Sequence, residues 1–214
     1  MDRLCDLIVM TVPIDFWKSI KDRYPLLYPE AHSRSHKDPL VAKHSAEFLL
    51  PFIRLSLAEQ VFMDSALRAS IPVRPEWNSA HNYQYALAQV GQFEFTTNSA
   101  KSPYDAPKDS VYRQQKAKIN QYLPQLTMPF VIVDRGAFSQ RIYGTVLHCA
   151  DPNDPSRHKC THISFPSKDN ESWVSRYKIE DLISMYSIVG RHSNQPDIAF
   201  PKFKRQDEKE GGDE

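Results

Sequence analysis

The chain has few of the residues that mark the commonest functional sites. Its six glycines stand at positions 91, 136, 144, 190, 211 and 212, and none is spaced as a phosphate-binding loop or a dinucleotide fingerprint requires. The sequence also lacks a Gly-x-Ser-x-Gly elbow, a Cys-x-x-Cys pair and the His-Glu-x-x-His pattern of zinc proteases. These absences exclude Walker-type NTPases and Rossmann enzymes.

Cysteine is scarce and long apolar runs are missing. Cys5, Cys149 and Cys160 are too few, and odd in number, for the disulfide framework of a secreted domain, which favours a reducing compartment. The short apolar run near the N-terminus is flanked by Asp6 and Asp15 and has no small-residue cleavage site. No run approaches the roughly 18 residues of a bilayer-spanning helix. The sequence therefore predicts a cytoplasmic protein with no signal peptide and no membrane contact.

Neither sign of charge is in excess. The 27 basic and 26 acidic residues leave a formal net charge of +1, so no overall field draws the protein onto nucleic acid or an anionic membrane. Binding to nucleic acid would need a local patch. A protein partner is the favoured interpretation, nucleic acid is the alternative, and the oligomeric state is left open.

Helical periodicity dominates the first half of the chain. Residues 12–24 predict a short amphipathic helix, and residues 25–37, which include His32 and His36, predict a loop. Asp38 followed by Pro39 is a helix start, and the apolar stripe of residues 40–69 predicts a long core helix that Pro51 kinks or divides.

Strand patterns dominate the second half. Residues 71–80 predict a segment without regular structure that runs across the protein surface. A helix is expected over residues 111–123, where Pro124 ends it. Strands are expected around residues 83–87, 93–95, 130–134, 141–149 and 161–165, followed by a short helix from residue 179 that Gly190 ends. The prediction is an α+β fold, with a helical N-terminal half packed on a small antiparallel sheet formed by the C-terminal half. Residues 1–201 are expected to form one domain, with a sub-boundary near 70–80 left open, before a disordered charged tail at 202–214.

Four potential metal ligands crowd the predicted hairpin of residues 144–165. If Cys149 lies opposite Cys160, strand alternation places Cys149, His158, Cys160 and His162 on one face. Two thiolates and two imidazoles suit zinc, although the spacing is not that of established zinc fingers. A pair of reduced cysteines is the favoured interpretation, and a cross-strand disulfide is a third.

A basic helix offers a second candidate surface. Lys108, Arg113, Lys116 and Lys118 are interleaved with tyrosines, so they could contact phosphates while a tyrosine stacks on a base. The alternative, favoured by the balanced net charge, is the solvated outer face of an amphipathic helix.

Carboxylates at strand ends offer a third candidate. Glu94, Asp134 and Lys101 could hold magnesium and activate water in a metal-dependent nuclease. Glu94 is followed by Phe95 and Thr96, so the Glu-x-Lys pattern of restriction-type nucleases is missing.

The favoured function is binding rather than chemistry. Aromatic side chains are suited either to interfaces or to the core and the sheet surface, and the candidate interface anchors are Trp77, Trp173, Tyr83 and Tyr143. The sequence predicts an interaction or regulatory protein, with a toxin, immunity or defence context as a general expectation. The alternative is the nuclease or another nucleic-acid-processing enzyme.

Overall fold

The computed structural model describes residues 3–37, 43–102, 104–127 and 140–192. Three helices come first, and six strands and three further helices follow. In chain order the elements are α1 (Arg3–Thr11), α2 (Ile14–Lys37), α3 (Lys43–Arg68), β1 (Val73–Trp77), β2 (Gln84–Val90), β3 (Phe93–Ala100), α4 (Val111–Ala117), a 3₁₀ segment (Lys118–Tyr122), α5 (Leu123–Thr127), β4 (Ile142–Ala150), β5 (His158–Pro166), β6 (Trp173–Lys178) and α6 (Ile179–His192).

The six described strands form one sheet in chain order, β1 to β6. The predicted α+β class is confirmed, but the sheet is larger than the small one expected, and it is mixed. Four neighbouring pairs are antiparallel, whereas β3 and β4 are parallel, with Phe93 opposite Ile142 and Ala100 opposite Cys149. The expectation of a purely antiparallel sheet is therefore wrong for this one pair.

The parallel pair requires a long connection, because the chain must return to the starting end of the sheet before β4 begins. Among the described residues, that connection contains α4, the 3₁₀ segment and α5. Tyr112 of α4 stacks on Tyr85 of β2 with ring centroids 4.3 Å apart, and Asn120 of the 3₁₀ segment bonds to β4. Helix α4 and the 3₁₀ segment thus cover one face of the sheet, called here the second face, whereas Leu123 and Leu126 of α5 belong to the main core.

The other face, called the first face, carries the main core. Helices α1, α2, α3 and α6 pack against it, and an aromatic cluster joins them to the sheet. Phe95 of β3 lies 5.6 Å from the Trp17 ring and 6.3 Å from the Phe16 ring, measured between centroids. Such pairs stabilise a core beyond the area they bury.

The loop predicted over residues 25–37 is wrong, because these residues belong to helix α2. The helix continues through Pro25 and Pro29 to Lys37. Each proline removes a helical hydrogen bond, but burial against the sheet stabilises the helix enough to offset that cost. The buried stripe consists of Phe16, Trp17, Ile20, Tyr24, Leu27, Tyr28, Ala31 and Ser35.

His32 and His36 therefore lie on a helix, not in the surface loop that was favoured. Their four-residue spacing places the rings on one face, and the rings stack with centroids 4.0 Å apart. The His36 Nδ1 atom lies 2.8 Å from the Ser35 hydroxyl.

Three further boundaries differ from prediction. The expected surface crossing at 71–80 contains the edge strand β1, which tolerates Pro75 because an edge strand has one unpaired side. Helix α3 runs through Pro51 without a break, and α6 continues through Gly190 to His192. The helix start at residues 38–39, the strand at 130–134 and the tail at 202–214 lie outside the described residues.

None of the described helices is both long enough and apolar enough to cross a bilayer.

Candidate functional site

The second face of the sheet has a polar interior. Tyr143 of β4 is fully buried, and its hydroxyl lies 2.8 Å from the Thr96 hydroxyl and 3.1 Å from the Thr145 hydroxyl. Buried polar groups at this density are expensive unless each is hydrogen-bonded, so the arrangement demands a close-fitting cover. The connection between β3 and β4 provides it.

Glu94 is a buried carboxylate of this face, and two cations already neutralise it. The Arg141 guanidinium lies 2.6 Å from one carboxylate oxygen, and the Lys116 ammonium lies 3.2 Å from the other. Burial alone would raise the pKa of Glu94, but the hydrogen bonds from Arg141 and Lys116 hold that pKa below its ordinary value. Both oxygens of Glu94 are therefore occupied by cationic side chains.

The two described residues of the nuclease hypothesis, Glu94 and Lys101, do not meet. Glu94 lies near the start of β3 and Lys101 follows its last residue, so seven residue steps, roughly 23 Å of extended chain, separate them. Such a distance is too long for one magnesium site. Asp134, the third residue of that hypothesis, lies outside the described residues.

The four basic residues expected on one surface are divided between different environments. Lys116 points inward and bridges Glu76 and Glu94 at 3.0 and 3.2 Å. The Arg113 guanidinium lies over the Tyr112 ring, 4.9 Å from its centroid. Lys118 is exposed, and Lys108 lines a cavity described below. These residues therefore do not form a continuous phosphate-binding surface.

The hairpin of β4 and β5 places Cys149 directly opposite Cys160, as its sequence predicted. The pairing then shifts by one residue, so that Ala150 faces His158. A bulge of this kind turns the next side chain to the other face of the sheet. His158 is thus separated from Cys149, Cys160 and His162, and the four side chains do not share one face.

On the first face, His158 joins a different cluster. Its Nε2 atom lies 2.8 Å from the Thr161 hydroxyl, and its ring packs edge-on against Tyr28 at 5.3 Å. The Tyr28 hydroxyl is 2.7 Å from Nδ1 of the fully buried His148. Burial lowers the pKa of His148 to about 3, and the nearby His158 and Arg54 act in the same direction. His148 is therefore neutral at ordinary pH.

Within the described parts of the chain, no three His, Cys, Asp or Glu side chains are grouped closely enough to hold a metal ion. The zinc interpretation of Cys149, His158, Cys160 and His162 gains no geometric support.

A cavity of about 140 Å³ opens where the parallel strands β3 and β4 end. Ligands commonly bind at the carboxyl ends of parallel strands, because the loops that follow diverge there. Trp173 closes one side and donates a hydrogen bond from its indole nitrogen to the carbonyl of Asp105 at 2.7 Å. The lining residues are Asn98, Ala100, Lys101, Asp105, Ala106, Lys108, Leu147 and Trp173.

The polar groups of the cavity favour an anion. Burial lowers the pKa of Lys108, and the positive charges of Arg113 and Lys101 lower it further. Asp105 is the one acidic residue among those lining the cavity, and its carboxylate accepts the Ser102 amide hydrogen at 2.9 Å. Positive charge is thus in excess around the cavity, and a bound anion would relieve the repulsion between the cations.

Asn98 adds a neutral donor. It is 5% exposed and lines the cavity. An amide side chain in a cavity wall can donate a hydrogen bond to a ligand without adding charge.

Sequence reasoning named Lys101, Lys108 and Trp173 but assigned them to three different roles. The signal that unites them is the order of strand, helix and strand over residues 93–150, which is typical of a parallel pair with a crossover. The other aromatic candidates differ: Tyr143 is a core residue, Tyr83 donates a hydrogen bond to Glu59 at 3.1 Å, and Trp77 is half exposed on the edge strand.

Neither the known family models, nor the curated proteins, nor the solved structures contain a match to this chain. A functional assignment therefore rests on the geometry of the described residues.

Proposed function

We propose that this protein acts by binding, and that it recognises its partner through one anionic group seated in the cavity at the ends of β3 and β4. The observation that carries the proposal is that Asn98, Lys101 and Lys108 all line one cavity. Phosphate and carboxylate groups share the required chemistry, since both accept hydrogen bonds from ammonium and amide donors.

The size of the cavity indicates a single group rather than a whole ligand. About 140 Å³ exceeds the roughly 30 Å³ that one water occupies in the liquid but is smaller than the roughly 300 Å³ at which drug-sized pockets begin. The group that enters would therefore belong to a larger partner, most of which stays outside the cavity.

The surrounding charges favour a partner with a localised charge over a nucleic-acid strand. Binding to a strand needs a groove of cations that follows many phosphates. Here Lys116 is held by Glu76 and Glu94, and Arg113 lies over Tyr112. An acidic or phosphorylated protein segment fits the localised charge better.

The nuclease alternative has less support. The oxygens of Glu94 are held by Arg141 and Lys116, and the length of β3 separates Glu94 from Lys101. A carboxylate that is to bind magnesium would need to release at least one of those cations first.

Titration with inorganic phosphate and, separately, with acetate would test the proposal. Amide resonances of Lys101, Asp105 and Lys108 should shift on titration, and the affinity should fall as salt is added because the attraction is electrostatic. Lys108→Ala should weaken binding roughly tenfold, since a hydrogen bond to a charged group contributes about 1.5–3 kcal/mol. The preferred anion distinguishes a phosphate from a carboxylate partner.

Lys21→Ala is the matched control, because Lys21 is an exposed lysine on α2 and belongs to the opposite layer. It should leave the affinity unchanged. Equal binding by wild type and Lys108→Ala, or shifts confined to other parts of the molecule, would refute the site. Tight binding of a single-stranded oligonucleotide that depends on Lys118 rather than Lys108 would instead indicate a nucleic-acid surface.

A further inference from the structure

Two cysteines face each other across the β4–β5 hairpin. Cys149 is fully buried and Cys160 is 8% exposed, and both are free thiols. They are directly opposed in the register, so their side chains lie on the same face of the sheet. The fold thus holds two thiols together, and Cys160 is the less deeply buried of them.

The distance between the Cβ atoms of directly opposed residues is close to the distance in a disulfide. Directly opposed residues of antiparallel strands have Cβ atoms about 4.5–5.5 Å apart, whereas a disulfide holds them at about 3.5–4.5 Å. A local inward movement of about 1 Å would be sufficient. The pairing shift immediately after Cys149 interrupts the regular ladder at this point, which makes such a movement easier than in an unbroken sheet.

We propose that Cys149 and Cys160 form a reversible oxidation site, in which hydrogen peroxide converts the facing thiols into a cross-strand disulfide. This inference is independent of the proposed anion binding.

The two cysteines have different roles in the reaction. The Cys160 thiolate attacks one peroxide oxygen, so that a sulfur–oxygen bond forms, the oxygen–oxygen bond breaks and hydroxide leaves to become water. The Cys149 thiol then attacks the sulfur of the sulfenic acid, the sulfur–sulfur bond forms, and the departing hydroxide takes the Cys149 proton as a second water. The protein loses two electrons and the peroxide gains them.

The surroundings of Cys160 suit the first step. The hydrogen bond from Cys149 lowers the pKa of the Cys160 thiol, and His162, two residues along the same strand, lowers it further. The shared proton correspondingly raises the pKa of Cys149. The thiolate form is the nucleophile, and it is the more exposed of the two sulfurs.

The site lies beside the anion cavity. Cys149 is opposite Ala100 in the parallel register, and Leu147 is two residues earlier on the same strand. Ala100 and Leu147 both line the cavity. A disulfide would therefore form next to the cavity wall. A movement of β4 at Cys149 would change the position of residues that line the cavity.

The test treats the full chain with hydrogen peroxide under native conditions, blocks remaining thiols and maps the tryptic peptides without reduction. Trypsin cuts after Arg157 and Lys159, so the expected product joins the peptides 142–157 and 160–168. A thiol reductant should separate them. In Cys149→Ser, a 1,3-dione should trap the sulfenic acid at Cys160, whereas Cys160→Ser should give neither link nor adduct at Cys149.

Cys5→Ser is the control, because Cys5 lies on α1 and should have no part in the link. A urea-unfolded sample gives the second comparison, since loss of the fold should also produce links to Cys5. The proposal is overturned by native protein that gives no 149–160 link, by oxidation of Cys160 to sulfinic acid while Cys149 stays reduced, or by the same mixture of links with and without urea.

Discussion

Asn120 and Tyr143 are joined by two reciprocal hydrogen bonds. The Asn120 side-chain nitrogen donates to the Tyr143 carbonyl at 2.9 Å, and the Tyr143 amide donates to the Asn120 side-chain oxygen at 2.8 Å. The same nitrogen also donates to the Pro166 carbonyl at 2.8 Å. The described pairing of β4 with β5 begins only at Thr145 and Ser164, so the asparagine amide continues the ladder beyond that point.

Asn120→Ala should destabilise the protein by about 2–3 kcal/mol. The change leaves a buried amide hydrogen and two carbonyl oxygens without their partner, and each unsatisfied buried group costs about 1–3 kcal/mol when water cannot replace the bond fully. The midpoint of urea unfolding measures the effect. Gln121→Ala, at the exposed neighbouring position, should change that midpoint little, and equal effects from both variants would contradict the role given to Asn120.

Glu59 of α3 makes the sheet sensitive to pH. Its carboxylate accepts the Ala86 amide hydrogen at 2.7 Å and the Tyr83 hydroxyl hydrogen at 3.1 Å. The described pairing of β2 with β3 ends at Ala88 and Phe95, so Glu59 satisfies a strand amide that lies beyond that ladder. Burial raises the pKa of Glu59 to about 7.

The raised pKa of Glu59 predicts a loss of stability with rising pH. The folded state holds the proton more tightly than the unfolded chain, whose value is 4.5, so the contribution is complete below pH 4.5 and is lost as pH rises through about 7. The upper bound is about 3 kcal/mol, reduced by partial exposure of the group. Glu59→Gln, which keeps one acceptor and one donor, should remove this slope. Unfolding free energies at pH 5 and pH 8 test it, and identical slopes in both proteins would contradict it.

The lowered pKa of His148 predicts that the folded state loses stability as pH falls, which is the opposite of the trend expected from Glu59. Its folded pKa of about 3 lies below the unfolded value of 6.5, so its contribution is complete above pH 6.5 and is lost as pH falls toward 3. The full loss is of the order of 5 kcal/mol, because the ring must be protonated inside the core. His148→Gln can still accept the Tyr28 hydroxyl hydrogen and should flatten the acid limb of the stability curve. Wild type in which His148 titrates near pH 6.5 by NMR would refute the assignment.

Much of the fold could be predicted because its patterns are local. The helical spacing of Ile179, Leu182 and Ile183 and the alternation around Cys149 and Cys160 are properties of single segments, and the structure has both. The extension of α2 through Pro25 could not be found in this way, because the residues that stabilise it belong to the sheet that it covers.

The candidate site was less predictable because it depends on pairing between distant strands. Asn98, Lys108 and Trp173 converge only because β3 and β4 are parallel. The bulge that separates His158 from Cys160 is a shift of a single residue, and strand alternation in the sequence cannot show it. Neither feature has a motif of its own.

Lys116 and Glu94 provide the last prediction, which separates a structural from a catalytic role for Glu94. Lys116→Met removes one of the two cations on a carboxylate that is 5% exposed, and it should destabilise the protein by about 1–3 kcal/mol, because the remaining Arg141 compensates only in part. Adding Glu94→Gln to that variant should recover part of the loss, since the uncompensated charge is then gone. Urea unfolding of the wild type, both single variants and the double variant gives the coupling energy between the two residues. A coupling near zero would show that Lys116 does not stabilise Glu94, and the carboxylate would then be available for another role.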